Sequence, residues 1–208
     1  MARNFIGGIL SGAALCMGLV LTVNAAEQVA GTTLDNLQAA FNGESNAKAK
    51  YEAFAVKADA EGYKSVAGLF RAASKSEGIH ALKHAEMIKK AGSEPKAKIE
   101  KADVKSTKEN LEASIKGETY EKENMYPAFI KKAEADKNSG AAMTFKGAMA
   151  AEVEHAKLYA QALKELDSWK AGDKTFLVCQ VCGFTSMDLN IKQCPVCSAP
   201  RSKFDEVK

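Results

Sequence analysis

The sequence predicts a mainly α protein: a four-helix bundle followed by a small cysteine-rich domain. Three observations predict it. Residues 33–170 carry four long apolar stripes at helical spacing, punctuated by Gly and Pro. One of the connections between them is long, as in one class of four-helix bundle. From Lys174 onward Cys, Phe, Pro and turn residues replace an Ala/Lys/Glu background. The aromatic content is only 7% while Ala and Lys are abundant, which favours helices over sheets. A net charge of +3 spread over 208 residues excludes a basic nucleic-acid surface with interleaved aromatics.

The chain opens with Arg3, an apolar run from Phe5 to Val23 and the small-residue pattern Val23-Asn24-Ala25. Residues 1–25 therefore read as a secretory signal peptide, with export to a bacterial periplasm or its equivalent as the expectation. An uncleaved membrane anchor is the rival, because the run is just long enough to span a bilayer. Leu15 before Cys16 argues against a lipoprotein. No other spanning segment is expected. Residues 26–172 form the bundle, and residues 173–208 the second domain.

The helices are expected over 33–61, 65–91, 108–136 and 141–170. Gly62 and Gly92 stop the first two, and Pro95 follows the second. Residues 93–107 are lysine-rich without an apolar period and form the crossover. Asn138-Ser139-Gly140 separates the last two helices.

Each apolar stripe is interrupted by a glutamate near its middle. The first carries Leu37, Phe41, Glu44, Tyr51 and Phe54. The second carries Leu69, Phe70, Ala73, Glu77, His80, His84 and Met87. The third carries Leu111, Ile115, Glu118, Glu121, Met125 and Phe129. The fourth carries Phe145, Ala148, Glu152, His155, Tyr159 and Leu163. A buried unpaired carboxylate costs several kcal/mol or takes up a proton. Several in one small core require cations. One Glu from each of two helices plus Glu-x-x-His from each of the other two is the ligand pattern of dimetal carboxylate bundles. A single Glu-x-x-His is more often a surface pair; two on separate apolar stripes, with two more inward glutamates, reverse that reading. His84 reads as a core histidine or polar neighbour rather than a ligand. Glu123 and Glu154 fall off the stripes. Tyr51 and Tyr126 point inward, either as packing or as hydrogen-bond donors to a ligating carboxylate.

The tail contains Cys179-Gln180-Val181-Cys182 and Cys194-Pro195-Val196-Cys197, separated by 11 residues. Two Cys-x-x-Cys pairs at this distance signal a tetrathiolate site. Tetrahedral S₄ sites hold iron or zinc, and the spacing does not separate them. Disulfides are the lesser alternative in an exported chain.

These motifs resemble a known family. Ala40-Phe41-Asn42-Gly43-Glu44-Ser45, with Tyr51 seven residues after Glu44, resembles the first helix of rubrerythrins. Gly117-Glu118-Thr119-Tyr120-Glu121 followed by Met125-Tyr126-Pro127 resembles their third. The Glu118/Glu121 pair is specific, since ordinary ferritins lack the second glutamate. Cys-x-x-Cys-Gly-Phe with Cys-Pro-x-Cys resembles rubredoxin knuckles, and the short gap is similar to that of rubrerythrin tails.

The resemblance implies a ferritin-like bundle with a rubredoxin-like domain. It implies a di-iron site on Glu44, Glu77, His80, Glu118, Glu121, Glu152 and His155, and one iron on Cys179, Cys182, Cys194 and Cys197. It implies reduction of hydrogen peroxide to water in oxidative-stress defence; the mechanism expected on that basis makes Glu121 a mobile ligand and has Tyr51 and Tyr126 hold or deliver protons. It also implies head-to-tail homodimers that bring one chain's cysteine site near the other's di-iron site. The exported character departs from a mostly cytoplasmic family, so the unknown electron donor is expected to be a periplasmic carrier. Phe184 stands where Tyr is common, and lysine-rich residues 96–108 match nothing in the family pattern. Two other readings stay open: a ferroxidase or iron-binding protein with a structural zinc-ribbon tail, and oxygen rather than peroxide as oxidant.

Overall fold

The computed structural model describes Met1, residues 31–170 and residues 174–208. Apart from Met1, the expected signal segment 1–25 lies outside the described residues. So does the expected domain boundary at 172/173. Among the described residues no helix is long and apolar enough to cross a membrane.

The bundle is built from α1 (Thr33–Ala60), α2 (Lys64–Lys90), α3 (Thr107–Tyr120), α4 (Tyr126–Ala135) and α5 (Ser139–Lys164). Local chemistry sets most of these ends. Thr32 and Asp35 form a capping box on α1, and Ser106 and Glu109 form one on α3. The turns after α1 and α2 pass through Gly62 (φ 81°) and Gly92 (φ 76°), a conformation that disfavours side chains. The fourth expected helix is shorter than its pattern. It ends at Lys164, and a 3₁₀ turn, Leu166–Trp169, drives the fully buried Trp169 into the core.

The third expected helix is not continuous. A π-helical turn, Glu121–Met125, separates α3 from α4. Its effect is a change of phase. Leu111 and Glu118 are buried seven residues apart, and so are Tyr126 and Ala133, but Glu118 and Tyr126 are eight apart. Eight α-helical steps overshoot two turns by about 80°. The extra residue of the π turn absorbs that overshoot and returns Tyr126 to the face of Glu118. The inward stripe therefore continues through Tyr126, and Met125 is only half-buried.

The crossover is an extended strap along α1. Gln38 takes the N–H of Lys96 (3.1 Å) and donates to Glu94 O (2.7 Å). Asn42 takes the N–H of Lys98 (2.8 Å), and Asn46 takes that of Glu100 (2.8 Å) while donating to Lys98 O (2.9 Å). The spacings match: four helical residues rise about 6 Å and two extended residues about 6.6 Å. A ladder of side-chain amides thus does for the strap what a neighbouring strand does in a sheet.

The tail forms a three-stranded antiparallel sheet of order β2-β1-β3, from β1 (Phe176–Cys179), β2 (Thr185–Ser186) and β3 (Phe204–Val207). Strand β1 is buried on both faces. Phe176 and Val178 join the bundle core with Trp169, Phe70 and Tyr159, while Leu177 and Cys179 pack with Cys194 and Phe204. A period of two therefore welds the tail to the bundle. The bundle core divides into an aromatic cluster around Tyr51, Phe54, Phe70 and Tyr159 and another around Tyr126, Phe129 and Phe145. The candidate site lies between them.

Candidate metal centre

Four helical segments each place one buried glutamate in the gap: Glu44 from α1, Glu77 from α2, Glu118 from α3 and Glu152 from α5. His80 and His155 stand one turn after Glu77 and Glu152, also buried. Two sets of potential ligands result: Glu44, Glu77, His80 and Glu152, and Glu77, Glu118, Glu152 and His155. Within each set the ligand atoms lie within 4.8 Å of one another. Glu77 and Glu152 belong to both, so two cations held here share two carboxylates. His80 Nδ1 stands 3.0 Å from Glu77 and 3.1 Å from Glu152. His155 Nδ1 stands 2.8 Å from Glu152 and 3.3 Å from Glu77. Yet both Nδ1 atoms, all four oxygens of Glu77 and Glu152, and Glu44 Oε2 lack a hydrogen-bond partner. Buried polar atoms aimed at a common space without satisfying one another fit a pair of cations.

The electrostatics agree. Burial, then the charge of Glu77, lifts the Glu44 carboxyl to about 7. Burial and the neighbouring carboxylates also push Glu118 and Glu121 well up. Burial opposes charge on His80, but Glu152, Glu44 and Glu77 outweigh it and raise its pKa; Glu77 and Glu152 do the same for His155. Without cations the site thus gathers protons onto groups that cations otherwise neutralise.

A tyrosine from the opposite segment holds each terminal carboxylate. Tyr51 donates to Glu118 and Tyr126 donates to Glu44. The arrangement is pseudo-symmetric: Tyr51 follows Glu44 by seven residues, and Tyr126 follows Glu118 by eight with the π turn between them. Glu121 breaks the symmetry. Expected as a ligand, it belongs to neither set. It begins the π turn three residues after Glu118, is half-buried, and stands close enough to the site to feel the charges of Glu44, Glu118, Glu152 and Glu77.

The tail orients both histidines. His80 Nε2 bonds the carbonyl of Cys182 at 3.1 Å. Ser76 Oγ donates to Gly183 O at 2.7 Å. Thr185 Oγ1 gives its proton to Gly183 O (3.2 Å), so it accepts from His155 Nε2 (3.0 Å). Each outer nitrogen thus carries a hydrogen, which leaves the inner nitrogen as the one that would bind a metal. Gly183 makes this approach possible. Its φ is 81°, and any Cβ there would collide with His80 Nε2 and Ser76 Oγ.

All four tail cysteines are free, with Sγ–Sγ distances of 3.6 Å (Cys179–Cys197) and 3.5 Å (Cys182–Cys194). A tetrahedral metal with bonds of about 2.3 Å sets sulfurs about 3.8 Å apart. The four sulfurs therefore fit one metal and are not disulfides. The Cys182 thiol, with backbone amides of Val181 and Cys182, holds the Cys179 thiol down at about 5 against partial burial.

Sequence periodicity places Glu44, Glu77, His80, Glu118, Glu152, His155 and the four cysteines where the structure brings them together. It does not single out Ser76, Thr185 or Gly183 as partners of the histidines. Gly183 carries a signal, the Gly after Cys-x-x-Cys; Ser76 and Thr185 carry none. His84, set aside as a ligand, contacts Tyr126 and stands 4.0 Å from Glu44. Burial, and the charge on His80, hold its pKa down to about 3, so its ring is neutral.

Comparison with known proteins matches this geometry. The rubrerythrin family model matches residues 35–163, and the model of the rubrerythrin rubredoxin-like domain matches residues 178–205. Nigerythrin of Nitratidesulfovibrio vulgaris is 38% identical over 175 residues, covering 84% of this chain and 86% of its own. Rubrerythrin-2 of Clostridium acetobutylicum is 36% identical over 177 residues, covering 83% and 95%. The structure of fully reduced, all-ferrous nigerythrin superposes with a TM-score of 0.81 at 35% identity, covering 88% of this chain and 91% of that one. With bundle and tail matched in one order and nearly the whole of these relatives spanned, this chain belongs to the rubrerythrin family.

Proposed function

We propose that this chain reduces hydrogen peroxide to water at a di-iron site on Glu44, Glu77, His80, Glu118, Glu152 and His155, and that an iron on the four cysteines relays electrons to it. The observation that carries this reading is the His80–Cys182 hydrogen bond. One histidine of the carboxylate site touches, at its outer nitrogen, the backbone of a cysteine of the tetrathiolate site. A purely structural zinc knuckle needs no such contact. Bound iron supplies the redox equivalents and Lewis acidity that the protein groups lack.

The side chains have separable roles. Glu77 and Glu152, common to both sets, would serve both metal positions. Tyr51 and Tyr126 donate to Glu118 and Glu44, fixing the terminal carboxylates and keeping a proton one bond from the reacting space. Glu121, on a π turn and outside both sets, is the carboxylate with freedom to move as charge changes. The aromatic clusters on either side keep bulk water from the reduced site.

Two carboxylate sets and one cysteine set make three metal positions. The test is elemental analysis of anaerobically purified protein followed by peroxide kinetics. About three irons per chain, the visible spectrum of a ferric tetrathiolate and steady peroxide consumption without net iron uptake are expected. Iron uptake without turnover would replace this reading with a ferroxidase. Turnover with oxygen at a rate that peroxide does not exceed would make oxygen the oxidant.

Export to the periplasm belongs to the same proposal, supported by the Arg3–Ala25 pattern. Fractionation and N-terminal sequencing test it; a mature N-terminus near Ala26 in the periplasmic fraction is expected, and a full-length chain in the membrane fraction would mean an anchor. A homodimer is proposed on the family resemblance. Within one chain the tail already stands against its own bundle, so electron relay does not need a partner subunit; sedimentation tests the assembly.

A further inference from the structure

Peroxide reduction consumes two protons with its two electrons, and the carboxylate site is buried. A groove of about 1110 Å³ runs along α2 and α5 and under the cysteine knuckles, lined among others by Met87, Met143, Thr144, Val181 and Val196. Thr144, half-buried, leads inward from it. Its Oγ1 is 3.3 Å from His84 Nδ1. His84 Nε2 is 3.2 Å from Tyr126 Oη, and Tyr126 bonds Glu44. His84 itself is fully buried, with its ring packed 5.4 Å from that of Phe145.

We propose that Thr144 and His84 are the outer half of a proton wire from this groove through Tyr126 to Glu44. The proposal rests on the peroxide-reduction reading. The inner end fixes the polarity of the chain. A carboxylate oxygen only accepts, so Tyr126 donates to Glu44. The phenol oxygen then accepts from His84 Nε2–H. A neutral imidazole with hydrogen on Nε2 has a lone pair on Nδ1, so Thr144 donates to it. The Thr144 oxygen is left to accept from water in the groove. Every hydrogen bond points from solvent towards Glu44.

In one passage the Tyr126 proton moves to Glu44 Oε1, the His84 Nε2 proton to Tyr126 Oη, the Thr144 proton to His84 Nδ1, and a water proton to Thr144. Each transfer forms one O–H or N–H bond and breaks another; Thr144, His84 and Tyr126 end with as many protons as they began with, the groove water gives up one proton, and Glu44 gains it. Rotation of the two hydroxyls and a turn of the imidazole reset it. His84 and Thr144 act through Tyr126 and make no hydrogen bond of their own to a ligand, so they are positioning residues. Hydrophobic periodicity cannot distinguish this histidine from one that only fills the core.

The test uses the full chain with zinc in place of iron and ¹⁵N-labelled histidine. His84 is expected as the neutral Nε2–H tautomer; the Nδ1–H tautomer would overturn the wire. Thr144→Val keeps shape and removes the hydroxyl. It is expected to slow exchange of the His84 Nε2 proton with solvent. In the iron-loaded protein it should lower kcat about tenfold, at the low end for a lost proton-transfer group, with KM unchanged and a larger solvent isotope effect. Thr144→Ser restores the exchange rate. Unchanged exchange and kcat in Thr144→Val overturn the proposal. Slowed exchange in a protein whose parent form turns over no peroxide overturns the peroxide reading instead and leaves the proton path standing.

Discussion

Gly183→Ala tests whether the contact between the tail and His80 matters. The backbone there has φ 81°, a region that costs a residue with a Cβ about 1 kcal/mol or more. The new Cβ would stand 2.7 Å from Ser76 Oγ and closer still to His80 Nε2, both buried and unable to retreat. Relief requires the knuckle to lift. That breaks the Ser76–Gly183 and His80–Cys182 hydrogen bonds, each worth about 1 kcal/mol net. The sum, about 3 kcal/mol, changes the ratio of docked to undocked tail about a hundredfold. The assay mixes fully reduced protein with peroxide and follows the returning colour of the tetrathiolate site. Slower oxidation of that site, with iron per chain unchanged, is the expected result. Gly147→Ala is the control, since a Cβ there meets nothing within 4 Å and Ala favours a helix. An intersite rate and melting temperature in Gly183→Ala equal to those of the parent would refute the reasoning.

Three further outcomes follow from other parts of the molecule. Deleting Lys122 removes the extra residue of the π turn; seven α-helical steps then separate Glu118 from Tyr126, which stays on the same face, so elemental analysis should find both metal sites still loaded, and loss of metal from the carboxylate site would refute the phase argument. Asn46→Ala removes the amide that both donates to and accepts from the strap, costing about 1–2 kcal/mol, read as a lower denaturation midpoint and faster amide exchange at Glu100. Hydrogen bonds from Thr107, with Lys57 nearby, hold the Glu61 carboxyl down at about 2 from an ordinary 4.5. A lowered folded-state pKa stabilises fully above the ordinary value and is lost as pH falls towards the folded one. The stability gap between the parent and Glu61→Ala should therefore shrink as pH drops from about 4.5 to about 2, and a constant gap would show that the cap is not ionic.

The sequence by itself determined the helices, most of the ligand types and the tetrathiolate. Those signals are local. Glu77 and His80, or Cys179 and Cys182, lie within one turn or one knuckle, and the apolar stripe on either side shows that they face inward. The same periodicity marks the limit. The π turn was legible only as a phase slip, seven residues from Glu44 to Tyr51 but eight from Glu118 to Tyr126, and Glu121 entered the ligand set through the family resemblance and not through the helical pattern. The strap along Gln38, Asn42 and Asn46 was invisible because polar residues at four-residue spacing look like any solvated helix face. Only the tertiary structure decided which carboxylates are shared, which tyrosine serves which glutamate, and that the tail bonds both histidines. Tyr51 meets Glu118 across 67 residues and Ser76 meets Gly183 across 107. Contacts at such separations depend on how the helices and the sheet pack against one another, and no repeat of 2.0 or 3.6 residues encodes that packing.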